Sequence, residues 1–242
     1  MRRFPASPGA QKLVLTFLTV FLLQISPAQA AKEPGALPPA YDFAIEMDGR
    51  DVGRHTIAFE EIGDELHVHI NIDIEVSFGP ITFFRYAHEN HEIWKDGRLI
   101  SLETKTDDDG TLYEVSAKAS EEGLAVEGPS GSFTAPAGIL PTSYWRPETT
   151  EKTQLLDTQR GRLIEVKSAK AGEEVLQLPQ GAKSAERYTV TGDLKLDLWY
   201  GEEGTLLNIA FNAKGRSIAY AVNALDYPKM QKVARNAEGG PL

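Results

Sequence analysis

From Tyr41 onward the chain alternates between apolar and polar positions. Tyr41, Phe43, Ile45 and Met47 are separated by Asp42, Ala44 and Glu46, and Leu66, Val68, Ile70, Ile72, Ile74 and Val76 by His67, His69, Asn71, Asp73 and Glu75. Successive side chains of a strand point to opposite faces, so this period of two buries one face and wets the other. Strand patterns follow at 53–61, 81–94, 98–106, 111–119, 123–127 and 131–134, and again at 162–169, 173–177, 185–191, 194–200, 205–212 and 217–223. Turn residues divide them roughly every ten positions, among them Asp48-Gly49, Gly79-Pro80, Asp96-Gly97, Asp109-Gly110 and Lys214-Gly215. The pattern predicts an all-β domain over 41–225. Its antiparallel meander is expected to curve into an open or closed barrel, or a two-sheet sandwich, because strands with one apolar face and almost no helix must cover one another.

One segment breaks the rhythm. Residues 136–157 carry Pro136, Gly138, Pro141 and Pro147 around Tyr144-Trp145, and read as an irregular crossing loop with room for one short helix. The ends differ again. Residues 31–40 read as a flexible lead-in and 226–242 as a frayed tail. Before them, Arg2, Arg3 and Lys12 precede an apolar run from Leu13 to Leu23, closed by Ala28-Gln29-Ala30, the order of a cleaved signal peptide over 1–30. That run is shorter than the roughly 20 apolar residues of a spanning helix, so the expected product is a periplasmic or secreted protein with no stable membrane span. Phe4-Pro5 after Arg2-Arg3 fits a twin-arginine signal poorly.

Charge and cysteine content narrow the partners. The whole chain carries a formal net charge of −10, and loss of the three basic signal residues leaves 22 Lys and Arg against 35 Asp and Glu, or −13. Such a field repels nucleic acid and anionic membrane surfaces. The absence of cysteine excludes disulfides, thiolate metal sites and a cysteine nucleophile, so the core alone must stabilise the fold.

Two stretches resemble an uncharacterised family of secreted proteobacterial proteins. The first is Phe84-Arg85-Tyr86, Glu92, Trp94, Asp96-Gly97, Leu99, Thr106 and Gly110; the second is Leu140-Pro141-Thr142-Ser143-Tyr144-Trp145, Asp157-Thr158, Gly161 and Leu198-Trp199-Tyr200. The likeness implies no catalytic residue. More distantly, the architecture is similar to periplasmic half-barrel carriers of acyl chains or lipids, which implies an interior able to take a hydrophobic or amphiphilic ligand.

Three chemistries compete for the candidate residues. Phe83, Tyr144, Trp145 and Tyr200 are the expected lining of an apolar cavity for a hydrophobic small molecule or lipid, with Arg146 placed to meet a polar headgroup. A metal-dependent enzyme would instead use His67, His69, His88 and His91 with Glu92, although regular alternation puts His88 and His91 on opposite faces unless a bulge at Glu89-Asn90 intervenes. The third reading is a cell-envelope structural or interaction module with a filled interior. No Gly-x-Ser-x-Gly elbow occurs, Ser143 is the loop serine nearest to a candidate nucleophile, and Asp107-Asp108-Asp109-Gly110 lacks the ligand spacing of a calcium loop. The expectation is no cofactor and, on balance, no enzymatic activity.

Overall fold

The computed structural model describes residues 37–226. The predicted signal peptide, most of the lead-in and the tail after Asp226 lie outside the described residues. The strands are β1 (Ala40–Met47), β2 (Arg50–Ile62), β3 (Glu65–Phe78), β4 (Ile81–Lys95), β5 (Arg98–Asp108), β6 (Thr111–Ser120), β7 (Gly123–Gly128), β8 (Gly131–Ala135), β9 (Leu140–Pro141), β10 (Gln154–Asp157), β11 (Arg162–Leu178), β12 (Gly181–Gly192), β13 (Leu196–Tyr200), β14 (Leu206–Ala213) and β15 (Arg216–Asp226). All fifteen form one sheet in the order β8-β7-β6-β5-β4-β3-β2-β1-β15-β14-β13-β12-β11-β10-β9. The first strand is therefore near the middle. It pairs with β2 on one side and with β15 on the other, Tyr41 facing Leu225 and Met47 facing Ile218, which joins the two halves of the chain.

The sheet is antiparallel except where β9 pairs in parallel with β10, and it is not closed. Its two outer edges meet through turns instead of a ladder: the backbone N–H and the hydroxyl of Ser130 both donate to the Arg160 carbonyl, at 3.3 and 2.8 Å. Gly128 and Gly161 make this approach possible. A Cβ on Gly161 would lie 3.2 Å from the Gly128 Cα and 3.2 Å from a Val115 methyl, and Gly161 has a φ of +60°.

The predicted crossing loop is more structured than its prolines suggested. It contains β9, a 3-10 turn (Pro147–Glu151) and β10, and it packs into the hydrophobic core. Leu155 and Leu156 of β10 have no exposure, and Ile139, Leu140 and Trp145 join the same core as Phe43, Ile45 and Ile57 from β1 and β2, and Leu102 and Val126 from β5 and β7. The two strands expected at 162–169 and 173–177 are one long β11, because a bulge at Lys170/Gly172 bends the strand without ending it. Among the described residues, no helix is long and apolar enough to cross a membrane.

Candidate functional site

The crossing segment is held by a buried carboxylate. On β4 the inward positions are Tyr86, His88, Asn90, Glu92 and Trp94, a largely polar row on a face that is otherwise apolar. Glu92 has no exposure. Its Oε2 accepts from the indole N–H of Trp94 at 2.9 Å and from that of Trp145 at 3.0 Å, its Oε1 accepts from the Asn90 amide at 3.0 Å, and the Ser143 hydroxyl also donates to it. Burial pushes the Glu92 carboxyl above the usual range while these donors pull it back. Among the described residues no Lys, Arg or His side chain pairs with it. The Arg146 guanidinium lies over the two donor rings, 4.9 Å from the Trp94 centroid and 5.7 Å from that of Trp145. Arg146 also donates to the Gly97 carbonyl at 2.8 Å and pairs with Glu148.

Tyr144 and Tyr200 complete this anchor. The Tyr200 hydroxyl donates to the Tyr144 carbonyl at 2.7 Å, and Tyr144 takes a left-handed backbone with φ of +59°, a conformation a bulky residue holds only when its surroundings demand it. The Trp145 ring meets Trp94 and Phe59 edge to face at 5.5 and 5.2 Å. Of the five residues expected to line one cavity, Tyr144, Trp145, Arg146 and Tyr200 are thus together, as parts of the packed interior. Phe83 is not with them. It stands 63% exposed on the outer face of β4, because odd-numbered positions of this part of the strand point away from the core.

The four histidines offered as a metal set divide by face, as regular alternation puts them. The β3–β4 register runs without a shift past Glu89 and Asn90, so the bulge that would have united them is absent. His67, His69 and His91 share the outer face: His67 Nδ1 and His91 Nε2 are 3.0 Å apart, and the His69 and His91 rings stack at 4.4 Å. His88 points inward. Its Nδ1 lies 2.7 Å from the Thr106 hydroxyl and its Nε2 lies 3.5 Å from that of Thr158. Among the described residues, no group of three or more His, Asp or Glu side chains is arranged to hold a metal ion.

The interior histidine that alternation alone did not mark is His55. It is buried on β2, stacked on Phe43 at 5.2 Å and edge-on to Tyr220 at 5.6 Å, with no hydrogen-bond partner on either ring nitrogen. Burial lowers its pKa to about 3 and that of His88 to about 4, while burial raises the phenols of Tyr86, Tyr144, Tyr200 and Tyr220. At neutral pH these six groups are all uncharged. None is poised to exchange a proton near pH 7, which is what general acid–base chemistry asks of a side chain.

Two hollows indent the outer face. One of about 590 Å³ is lined by His69, His91, Glu89, Glu103, Lys105 and Glu127, and one of about 670 Å³ by Asp42, Arg54, Asp73, Glu75, Arg85 and Asp107, among others. The first has mostly polar and charged walls, the second mixes charged groups with Phe43, Val52, Ile74 and Tyr86, and both are open to solvent. Neither has the apolar, enclosed form expected of an acyl-chain site.

The motif residues that lie far apart in sequence meet in this interior: Glu92 and Trp94 of β4 against Ser143 and Trp145, Thr106 against His88 beside Thr158, and Tyr200 against Tyr144. Residues 43–223 match the profile of the domain of unknown function DUF6134. The chain belongs to this family. The DUF6134 fold is similar to a beta-barrel-like protein of the domain of unknown function DUF1849 from Brucella abortus, with a TM-score of 0.59 and 12% identity over 80% of this chain and 98% of that chain. At that identity the likeness is one of fold. No curated protein matches the sequence. The beta-barrel-like architecture of this DUF6134 chain is thus shared with a second domain of unknown function, DUF1849.

Proposed function

We propose that this protein is exported to the cell envelope and works there as a binding module through its outer surface, with its interior occupied by its own chain. The observation that carries the reading is the crossing segment. The space that an acyl chain would take against β1 to β7 is held by Leu140, Trp145, Leu155 and Leu156, and the segment is tied down by the Glu92 hydrogen bonds. Displacing it would expose Trp145 and leave a buried carboxylate short of donors, a cost of several kcal/mol that a single ligand would have to offset. Export is supported by the basic, apolar and small-residue order of residues 1–30.

Native mass spectrometry of the protein purified from its own host tests both parts. The expected spectrum is a bare polypeptide beginning at Ala31, with no stoichiometric lipid. A retained lipid of one copy per chain would restore the carrier reading, and an unprocessed amino terminus would remove the export reading.

A further inference from the structure

The β3–β4 hairpin outruns its neighbours. Pairing of β2 with β3 ends at Gly53 opposite Ile74, and pairing of β4 with β5 begins only at Tyr86 opposite Asp108. Beyond these limits the ribbon's ladder runs on between its own two strands, Glu75 with Arg85, Val76 with Phe84, Ser77 with Thr82 and Phe78 with Ile81, while at its base the Asp109 N–H of the next turn still donates to the Arg85 carbonyl at 2.9 Å. An isolated two-stranded ribbon has little stability of its own. This one is tied by side chains at its base: the Ser77 and Thr82 hydroxyls both donate to Glu75, and Arg85 pairs with the same carboxylate at 3.2 Å.

Its tip is apolar and uncharged. No Asp, Glu, Lys or Arg occurs between Glu75 and Arg85, and Phe78, Ile81 and Phe83 are 75%, 58% and 63% exposed, three of the six large hydrophobic side chains exposed among the described residues. Charge returns at the base, where the Lys214 ammonium of the neighbouring turn lies 5.8 Å from the Phe84 ring centroid. We propose that this hairpin is a shallow membrane anchor whose tip enters the headgroup and upper acyl region of a lipid surface. The shape favours lipid over a protein groove, because a convex tip enters a fluid surface without a matching pocket. The order of polarity also fits, with aromatic and aliphatic residues outermost and the Glu75–Arg85 pair and Lys214 behind them, as in segments whose apolar end lies in the membrane interface.

The backbone sets the depth. The outer edges of an unpartnered ribbon would leave N–H and C=O groups without partners in hydrocarbon, so only the turn can go in, and Pro80 at that turn has no N–H to satisfy. The acidic body keeps the remainder off an anionic surface. Insertion by the tip should therefore be driven by apolar burial, insensitive to salt, and strongest on zwitterionic lipid.

This inference rests on the reading of the protein as an envelope module that works through its surface, and the test separates the two. The processed protein from its host, its amino terminus checked by mass, is floated with phosphatidylcholine vesicles at 50 and 500 mM salt, beside the variant F78S/I81S/F83S. The wild type should float equally at both salt concentrations, and the variant should lose at least tenfold while keeping its circular dichroism and thermal midpoint. A second variant, Ile81→Trp, should show a blue shift in emission on adding vesicles and quenching by lipids labelled near the headgroup. Failure of the wild type to float, flotation unchanged in the triple variant, flotation lost at high salt, or a tryptophan that stays in water would each overturn the anchor. So would a wild-type dimer that the triple variant converts to monomer, since the tip would then serve a second copy of the chain. A lipid held one to one in native mass spectrometry would instead sink the filled-interior reading and leave the hairpin result standing on its own.

Discussion

At the scale of single residues, the interior is polar where it meets the crossing segment, and protonation acts against it. His55 and His88 have folded pKa values of about 3 and about 4 against an unfolded value of 6.5. Between those limits the unfolded chain binds more protons than the folded one, so stability falls as pH drops from about 6.5 towards 4. Each histidine should cost about 2 kcal/mol at pH 5 relative to pH 7, taking roughly 1.4 kcal/mol per pH unit of separation. Glu92, whose pKa is raised, has the opposite sign: its protonated form fits the fold better, and its contribution is lost as pH rises. Urea unfolding at the two pH values should show the drop, and His55→Phe, which keeps the stack on Phe43 but cannot be protonated, should remove about half of it. An unchanged pH slope in that variant would show that His55 is not the proton acceptor. The sequence marked His88 and His91 as facing opposite ways. That His55 would have no partner at all followed from neighbours, Phe43 and Tyr220, that only the β1–β2 and β1–β15 pairings bring to it.

At the scale of elements, the crossing segment does the work that further strand pairing would do in a closed barrel. Trp145→Ala removes an indole packed against Trp94 and Phe59 and takes one donor from Glu92, and should cost about 3–5 kcal/mol in unfolding free energy. Gly161→Ala tests the seam at the other end of the segment. It places a methyl 3.2 Å from Gly128 and Val115 at a left-handed backbone position, and should cost about 1–3 kcal/mol, whereas the same change at Gly110, which has open space around it, should cost only the backbone strain of about 1 kcal/mol. Equal losses at the two glycines would show that the close approach is not required. The strands were legible because alternation is local and strong. The short strands β9 and β10 were not, because a pair of residues and a run of four carry no periodicity, and their parallel pairing depends on where the rest of the sheet puts them.

At the scale of the whole molecule, the sheet is held together in sequence terms by its two ends. Only the pairing of β1 with β15 joins the leading strands to the trailing ones in the sheet, across some 170 residues of chain, as Ile45 opposite Tyr220 illustrates. Removing residues 216–226 should therefore expose β1 and β14 as open edges and give an aggregating product without a cooperative unfolding transition, since unpaired edges template association. A soluble, cooperatively folding truncation would show that the two halves are independent. The same long-range closure predicts slow folding, because loop closure must precede the contacts that reward it.

Local chemistry was enough to determine an all-β chain: the alternation, the glycine and aspartate turns and the lack of cysteine settle the class, the faces of most strands and the order of the meander. These are properties of neighbours along the chain, where period and turn type act within a few residues. Only the tertiary structure decided that the sheet stays open, that its hollow is filled by residues 136–161, that Glu92 is the acceptor for two tryptophans 51 positions apart, and that Phe83 stands outside. Each of those depends on which distant strands become neighbours, and that is set by packing the whole apolar face at once rather than by any stretch of sequence.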